Sequence, residues 1–215
     1  YDVLPSRVAL VPGSVVNATA YGNAVAFQGN LAAAIPGTID VRPGPTNEGY
    51  LSLSNYYAPF PCAGSCDNRT FAGPVPEGIL YNGTVYTSIE MSTNGFMRLG
   101  GGGGDAAPVN LPLPTALAPS NTLAPFWTDL HPAGTDGLGS GTLYAGQFAY
   151  PSGRTWLVLE WKDVVEKNGT AKYSFQVWLR IGGTVEDITF TYSKVEGNGA
   201  GGFLTVGAQN SDGST

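Results

Sequence analysis

Charge is scarce in this chain. Asp, Glu, Lys and Arg make up 12% of its 215 residues, about half the usual share, and the net charge is −6. With 10 basic against 16 acidic residues there is no basic face for nucleic acid and none to hold an anionic membrane surface. No apolar run approaches the ~18 residues of a membrane span, so no membrane insertion is expected. Histidine is represented once, by His131 in the Pro/Gly-rich stretch LHPAGTDG. No GxSxG elbow accompanies it, so a Ser-His-Asp hydrolase is not expected and the chain reads as non-catalytic. The glycine run Gly100–Gly104 is not followed by GK[ST], which leaves a solvent loop rather than a phosphate cradle. No carboxylate pair stands out. Glu160 and Asp163 flank Trp161 but fall on opposite faces of a strand, and Glu186-Asp187 reads as a solvated turn.

Cysteine is also sparse. Cys62 and Cys66, in PCAGSCDN, are the only two. A disulfide between them would close a small loop and would fit a secreted protein in an oxidising compartment. The rival reading is half of a metal site, for which zinc would need two more soft ligands where the chain offers one histidine. Low Lys and abundant Thr, Ser, Asn and Gly agree with secretion. Tyr1 opens inside a β-rich stretch, as a processed or excised chain would.

What the sequence has in quantity is glycine (31) and proline (16), with no collagen-like repeat. These read as turn residues between many short strands. Alternation of period two is the dominant pattern. In Lys172–Ile181, Tyr173, Phe175, Val177, Leu179 and Ile181 share one face, while Ser174, Gln176, Trp178 and Arg180 share the other. Ile188, Phe190 and Tyr192 repeat it, and Thr155–Trp161 reads as a strand buried on both faces. Val85–Met91, Gly95–Leu99, Gly141–Ala149 and Phe203–Ala208 are further strands, as are Arg7–Val11, Ser14–Thr19, Ala24–Leu31 and Thr38–Val41. Asn168-Gly169 predicts a type I′ hairpin turn. Leu31–Ile35 is helix-friendly but too short to nucleate alone. The expected fold is all-β: an antiparallel sandwich, jelly-roll-like, with long Gly/Pro-rich loops at residues 42–69 and 99–125. One domain spans 1–215, with a soft boundary near 42 and residues 1–41 contributing strands.

Trp178 is the first candidate for ligand binding, because period two places a large aromatic on a polar face beside Gln176 and Arg180. Tyr56 and Tyr57, with Phe60, form a second aromatic group ahead of Cys62. Asp129 and Asp136 bracket the oxygen-rich loop DLHPAGTDG, where calcium is the candidate cofactor; Asp67 and Asp105 are weaker ligands. Four Asn-x-Ser/Thr sequons occur, at Asn17, Asn68, Asn82 and Asn168.

Four peptides taken in order, STNGF (92–96), LAPFWTDL (123–130), LEWKDV (159–164) and TVGAQNSDG (205–213), together with YLSLSNY at 50–56, resemble the accessory β-sandwich module that follows the catalytic domain in secreted bacterial subtilisin-like serine proteases. The resemblance covers about residues 50–213. It implies a non-catalytic role in stabilising or targeting the enzyme, with the parent's catalytic domain, its protein substrate or a surface as partner. The family being bacterial, the resemblance implies that the sequons are chance occurrences in a Thr- and Asn-rich sequence. The alternative is a carbohydrate-binding module built on Trp178, with calcium and a polysaccharide partner.

Overall fold

The computed structural model describes residues 50–61, 66–101, 103–104, 106–134, 139–150 and 153–213 in full, and within residues 1–49 the backbone of four strands alone. These four are β1 (Ser6–Ala9), β2 (Val15–Tyr21), β3 (Ala24–Asn30) and β4 (Arg42–Pro43). The others are β5 (Thr70–Tyr81), β6 (Thr84–Ser92), β7 (Met97–Leu99), β8 (Thr122–Trp127), β9 (Leu130–His131), β10 (Thr142–Ala149), β11 (Thr155–Glu166), β12 (Lys172–Ile181), β13 (Ile188–Val195) and β14 (Thr205–Ala208). Two antiparallel seven-stranded sheets result. The first runs β10-β11-β12-β13-β1-β4, with β9 beside the far end of β11; the second runs β3-β2-β14-β8-β7-β6-β5. The fold is the expected all-β sandwich. Only two short 3-10 turns interrupt it, at Leu53–Asn55 and Ala200–Gly202.

The period-two strands lie as their patterns require. Tyr173, Phe175, Val177, Leu179 and Ile181 of β12 face the second sheet and pack with Leu159 and Trp161 of β11 and Phe190 of β13. From the second sheet they meet Val75, Ile79, Met91, Met97, Leu123 and Phe126. Trp161 anchors the two layers together: its indole N–H donates to the Ser92 carbonyl at 2.8 Å.

Four strands fall outside those expected, the two-residue β4 and β9 and the longer β5 and β8. β5 carries Pro74 and Pro76, which lack N–H groups, and Gly78 at φ 78°. It is accordingly an edge strand, with a shifted register between Pro74 and Ile79. β8 falls in the stretch expected to be irregular. Its Leu123 and Phe126 both face the core although three residues apart, because the pairing with β14 slips between Thr205 and Gly207, opposite Pro125. The turns also sort themselves differently from expectation. Asn82 (φ 47°) and Gly83 (φ 73°) make the two-residue connection between β5 and β6 that a type I′ turn requires. At 167–171 only Asn168 takes a positive φ (59°), and the Gly169 N–H bonds the Glu166 carbonyl at 3.1 Å. The hairpin is there, but its turn centres on Lys167 and Asn168. Leu31–Ile35 and Thr38–Val41 lie outside the described residues.

The outer faces are covered as well. Over the first sheet, Leu51, Leu53 and Tyr57 pack on Tyr144, Trp156, Val158 and Trp178. Over the second, Ala107, Leu111, Leu113 and Ala118 pack on Phe96, Ala124 and Trp127. Within the two stretches read as irregular, the parts around residues 51–57 and 107–118 are therefore straps that close the sandwich from outside.

Candidate functional site

Trp178 is fully buried, at 0% exposure, and is not the exposed anchor its strand position suggests. Its ring stacks on Phe148 at 6.1 Å and meets Trp156 edge-on at the same distance. Its indole N–H donates to Gln176 Oε1 at 2.9 Å. Gln176 is itself buried: its Oε1 also accepts from the Leu51 N–H at 3.2 Å and Thr191 Oγ1 at 3.2 Å, and its amide donates to the Leu51 carbonyl. The alternation holds along β12, but the face it defines belongs to the strap. The same strap covers Glu160, also at 0% exposure and so not turned to water. Glu160 accepts from the Tyr50 hydroxyl at 2.5 Å and from the Leu53 N–H at 2.8 Å. Burial pushes its carboxyl above the ordinary value of 4.5, although those hydrogen bonds and Lys162 pull it down. Arg180 is half-buried and continues the same face. Tyr56 remains 60% exposed, edge-on to Phe148 at 5.7 Å. Tyr57 is half-buried, its hydroxyl donating to the Gln147 carbonyl at 2.6 Å.

The four sequence peptides converge. Asn94 of STNGF accepts on Oδ1 from the Leu130 N–H at 2.9 Å and donates from Nδ2 to Asn68 Oδ1 (2.9 Å) and the Ala106 carbonyl (2.8 Å). Gly95 is required by contact as well as by its φ of 78°: a Cβ there would sit 1.9 Å from the Phe126 carbonyl oxygen. Gln209 accepts from the Thr115 N–H at 3.0 Å and donates to the Ala118 and Pro119 carbonyls. Trp127 donates to the Ala107 carbonyl at 2.8 Å. These bonds hold the 106–120 strap, and the strap forms one wall of a cleft.

That cleft, of about 600 Å³, is lined by Pro108–Asn110, Pro112 and Leu113 on one side, by Ala200 and Phe203–Val206 on the other, and by Thr128 and Asp129 between them. Its walls are tied together. Thr128 Oγ1 donates to the Phe203 carbonyl (2.7 Å) and accepts from the Ala200 N–H (2.8 Å). Thr205 Oγ1 accepts from Asn110 Nδ2 (2.9 Å) and donates to the Leu111 carbonyl (2.9 Å). Two large apolar side chains stand out at this cleft, Val109 at 73% exposure and Phe203 at 70%. Sequence reasoning passed over both. Val109 lay in a loop and Phe203 at the start of an expected strand, and nothing in period or spacing marks an exposed apolar residue.

Asp129, the candidate metal ligand, lines this cleft. One of its carboxylate oxygens, Oδ1, is sealed from solvent and has no hydrogen-bond partner among the described residues. Burial raises its pKa above the ordinary value of 3.8, against the pull of Lys167. Lys167 gives its ammonium to Asp67 Oδ2 at 2.7 Å instead. Asp136 and Asp105 lie outside the described residues, and among the described residues no cluster of three or more His, Cys, Asp or Glu side chains is placed to hold a metal ion. His131 is buried on β9, where it pairs with Val165. Cys66 is fully buried and is not a free thiol; Cys62 lies outside the described residues. Asn68, Asn82 and Asn168 are exposed, all with positive φ.

Residues 60–215 match the family model described as NIDO related. The chain belongs to the NIDO-related family. The match contains all four converging peptides, the 106–120 strap and every residue that lines the cleft, so the cleft is part of the NIDO-related unit and the Tyr50–Tyr57 strap precedes it. No curated protein and no solved structure matches the chain.

Proposed function

We propose that this NIDO-related domain is a non-catalytic binding module of an extracellular protein, and that it holds a protein partner in the cleft between Pro108–Leu113 and Ala200–Val206. The observation that carries the reading is the cleft itself. It pairs exposed apolar side chains, Val109 and Phe203, with a floor of fixed polar groups, the composition expected of a recognition site. The resemblance of the four peptides to protease accessory modules supports a secreted subtilisin-like protease as the parent, with capture of protein substrate as the task. The buried Cys66 supports pairing with Cys62 in an oxidising compartment. Burial of His131 supports the non-catalytic reading. A carbohydrate-binding role loses its main support with Trp178 covered, and would rest on Tyr56 and Tyr57.

The test is retention of the purified chain on insoluble collagen, keratin, cellulose and chitin. Protein matrices should retain it, polysaccharides should not, and Phe203→Ala should weaken retention about tenfold, the scale of an interface anchor. Retention on cellulose or chitin that survives Phe203→Ala would move the site to the tyrosines.

A further inference from the structure

The geometry points to a cationic, N–H-donating group on an apolar stem as what the cleft recognises: an Arg or Lys side chain of a peptide segment, seated against Asp129. This deepens the binding-module reading and rests on it.

Three observations converge. Among the described residues that line the cleft, Asp129 alone carries a charge; the others are apolar or neutral. Asp129 is half-buried and lines the cleft, while its Oδ1 is sealed with no hydrogen-bond partner among the described residues, a costly state for a carboxylate that a cation held in the cleft offsets through its charge. The nearby cation does not relieve it, because Lys167 spends its ammonium on Asp67. Lys167 and His131 act on Asp129 only at a distance, and burial still raises its pKa over their pull, as expected of a carboxylate short of partners. A cationic ligand would complement the Asp129 carboxylate, an anionic one would be repelled by it, and a neutral sugar would leave it as it is.

The stem has its own surface. The exposed Phe203 ring and Val109 offer an apolar face on which the methylenes of a long basic side chain can lie, and a guanidinium can sit over the ring. A volume of about 600 Å³ suits one such side chain with its flanking backbone. Arg fits better than Lys, since its planar fork can reach a carboxylate and stack on an aromatic at once.

The experiment uses the whole chain and three peptides, titrated by calorimetry. One is Leu-Arg-Leu blocked at both ends. The second replaces Arg by citrulline, nearly the same shape without the charge. The third is the citrulline peptide with a free N-terminal amine, which separates recognition of an α-amine from that of a side chain. The Arg peptide should bind about tenfold more tightly than the blocked citrulline peptide, as loss of one charge-assisted contact implies. That ratio should fall to about one in Asp129→Asn, while Phe203→Ala should weaken both blocked peptides, the Arg peptide somewhat more. Equal binding of Arg and citrulline peptides to the unaltered chain, or no binding of either, overturns the proposal without reliance on any variant. A ratio unchanged in Asp129→Asn, or in Asp129→Ser should the first variant fold poorly, also overturns it. Preference for the free amine over Arg would assign the site to chain termini and defeat the side-chain assignment. Should matrix retention respond to Phe203→Ala and ignore Asp129→Asn, the cleft would stand and the cation would fall. Should it respond to neither, the cleft itself would fall.

Discussion

The outer faces of the two sheets are closed by the same device and held by different chemistry. On the first sheet the Tyr50–Tyr57 strap is latched by a buried acid: Glu160 takes donors from Tyr50 and Leu53, and Gln176 grips the Leu51 backbone from both sides. On the second sheet the 106–120 strap is held by neutral groups, the Trp127 indole, the Asn94 and Gln209 amides and the Ser92 hydroxyl, each meeting the strap's backbone. The ion pair on that face, Glu90 with Arg98, joins neighbouring strands, and among the described residues no hydrogen bond runs from it to the strap. A neutral latch does not titrate over the ordinary pH range, whereas a buried carboxyl does. The two straps should therefore respond alike to loss of packing and differently to pH.

The largest effect should come from packing and should not tell the faces apart. Trp178→Ala and Trp127→Ala each remove a fully buried indole, and each should cost about 3–5 kcal/mol in denaturant unfolding. A small loss for one alone would show that its strap is loosely seated. Next in size, Gln209→Ala leaves the Thr115 N–H and two carbonyls of the second strap without their amide, for about 1–3 kcal/mol. Because that strap is a cleft wall, the same variant should also weaken matrix retention.

The smallest effect is the one that separates the faces. Glu160 titrates above its ordinary 4.5 in the folded chain, so over that window the folded state holds a proton the unfolded state has released. Its contribution is greatest below the ordinary value and declines as pH rises through the raised one. Asp129 acts in the same direction from its ordinary 3.8. Melting temperatures measured across this range should fall with rising pH from these groups, and Glu160→Gln should flatten part of the slope. An unchanged slope would mean that the strap opens before Glu160 ionises.

The difference between the faces also marks where sequence reading works. Period two along Lys172–Ile181 places Trp178 and Gln176 opposite Phe175 and Val177, and the structure agrees. Alternation defines two faces, but it does not say what lies over them. A strap 125 residues away in sequence covers Gln176, and no local pattern announces that contact. β5 was hidden for a different reason: its prolines argue against a central strand, and an edge place that tolerates them is visible only in the assembled sheet. β8 was hidden by Pro125 and the slip beside it, which break the alternation by which strands are recognised. The cleft is a product of two loops held by Thr128 and Thr205, residues whose hydroxyls carry no signature in the sequence.

The order of strands in the second sheet bears on how the chain reaches this state. β2 pairs with β3, its immediate neighbour in sequence, and on its other side with β14, where Val16 stands opposite Val206, 190 positions later. At ribosomal speeds of about 5–20 residues per second, some 10–40 seconds separate the appearance of those two partners. Throughout that interval one edge of the β2–β3 hairpin has its backbone donors and acceptors open, a template for mispairing with other chains. The sandwich closes late, and its dependence on that late partner makes assembly slow and hazardous in proportion to the separation it must bridge.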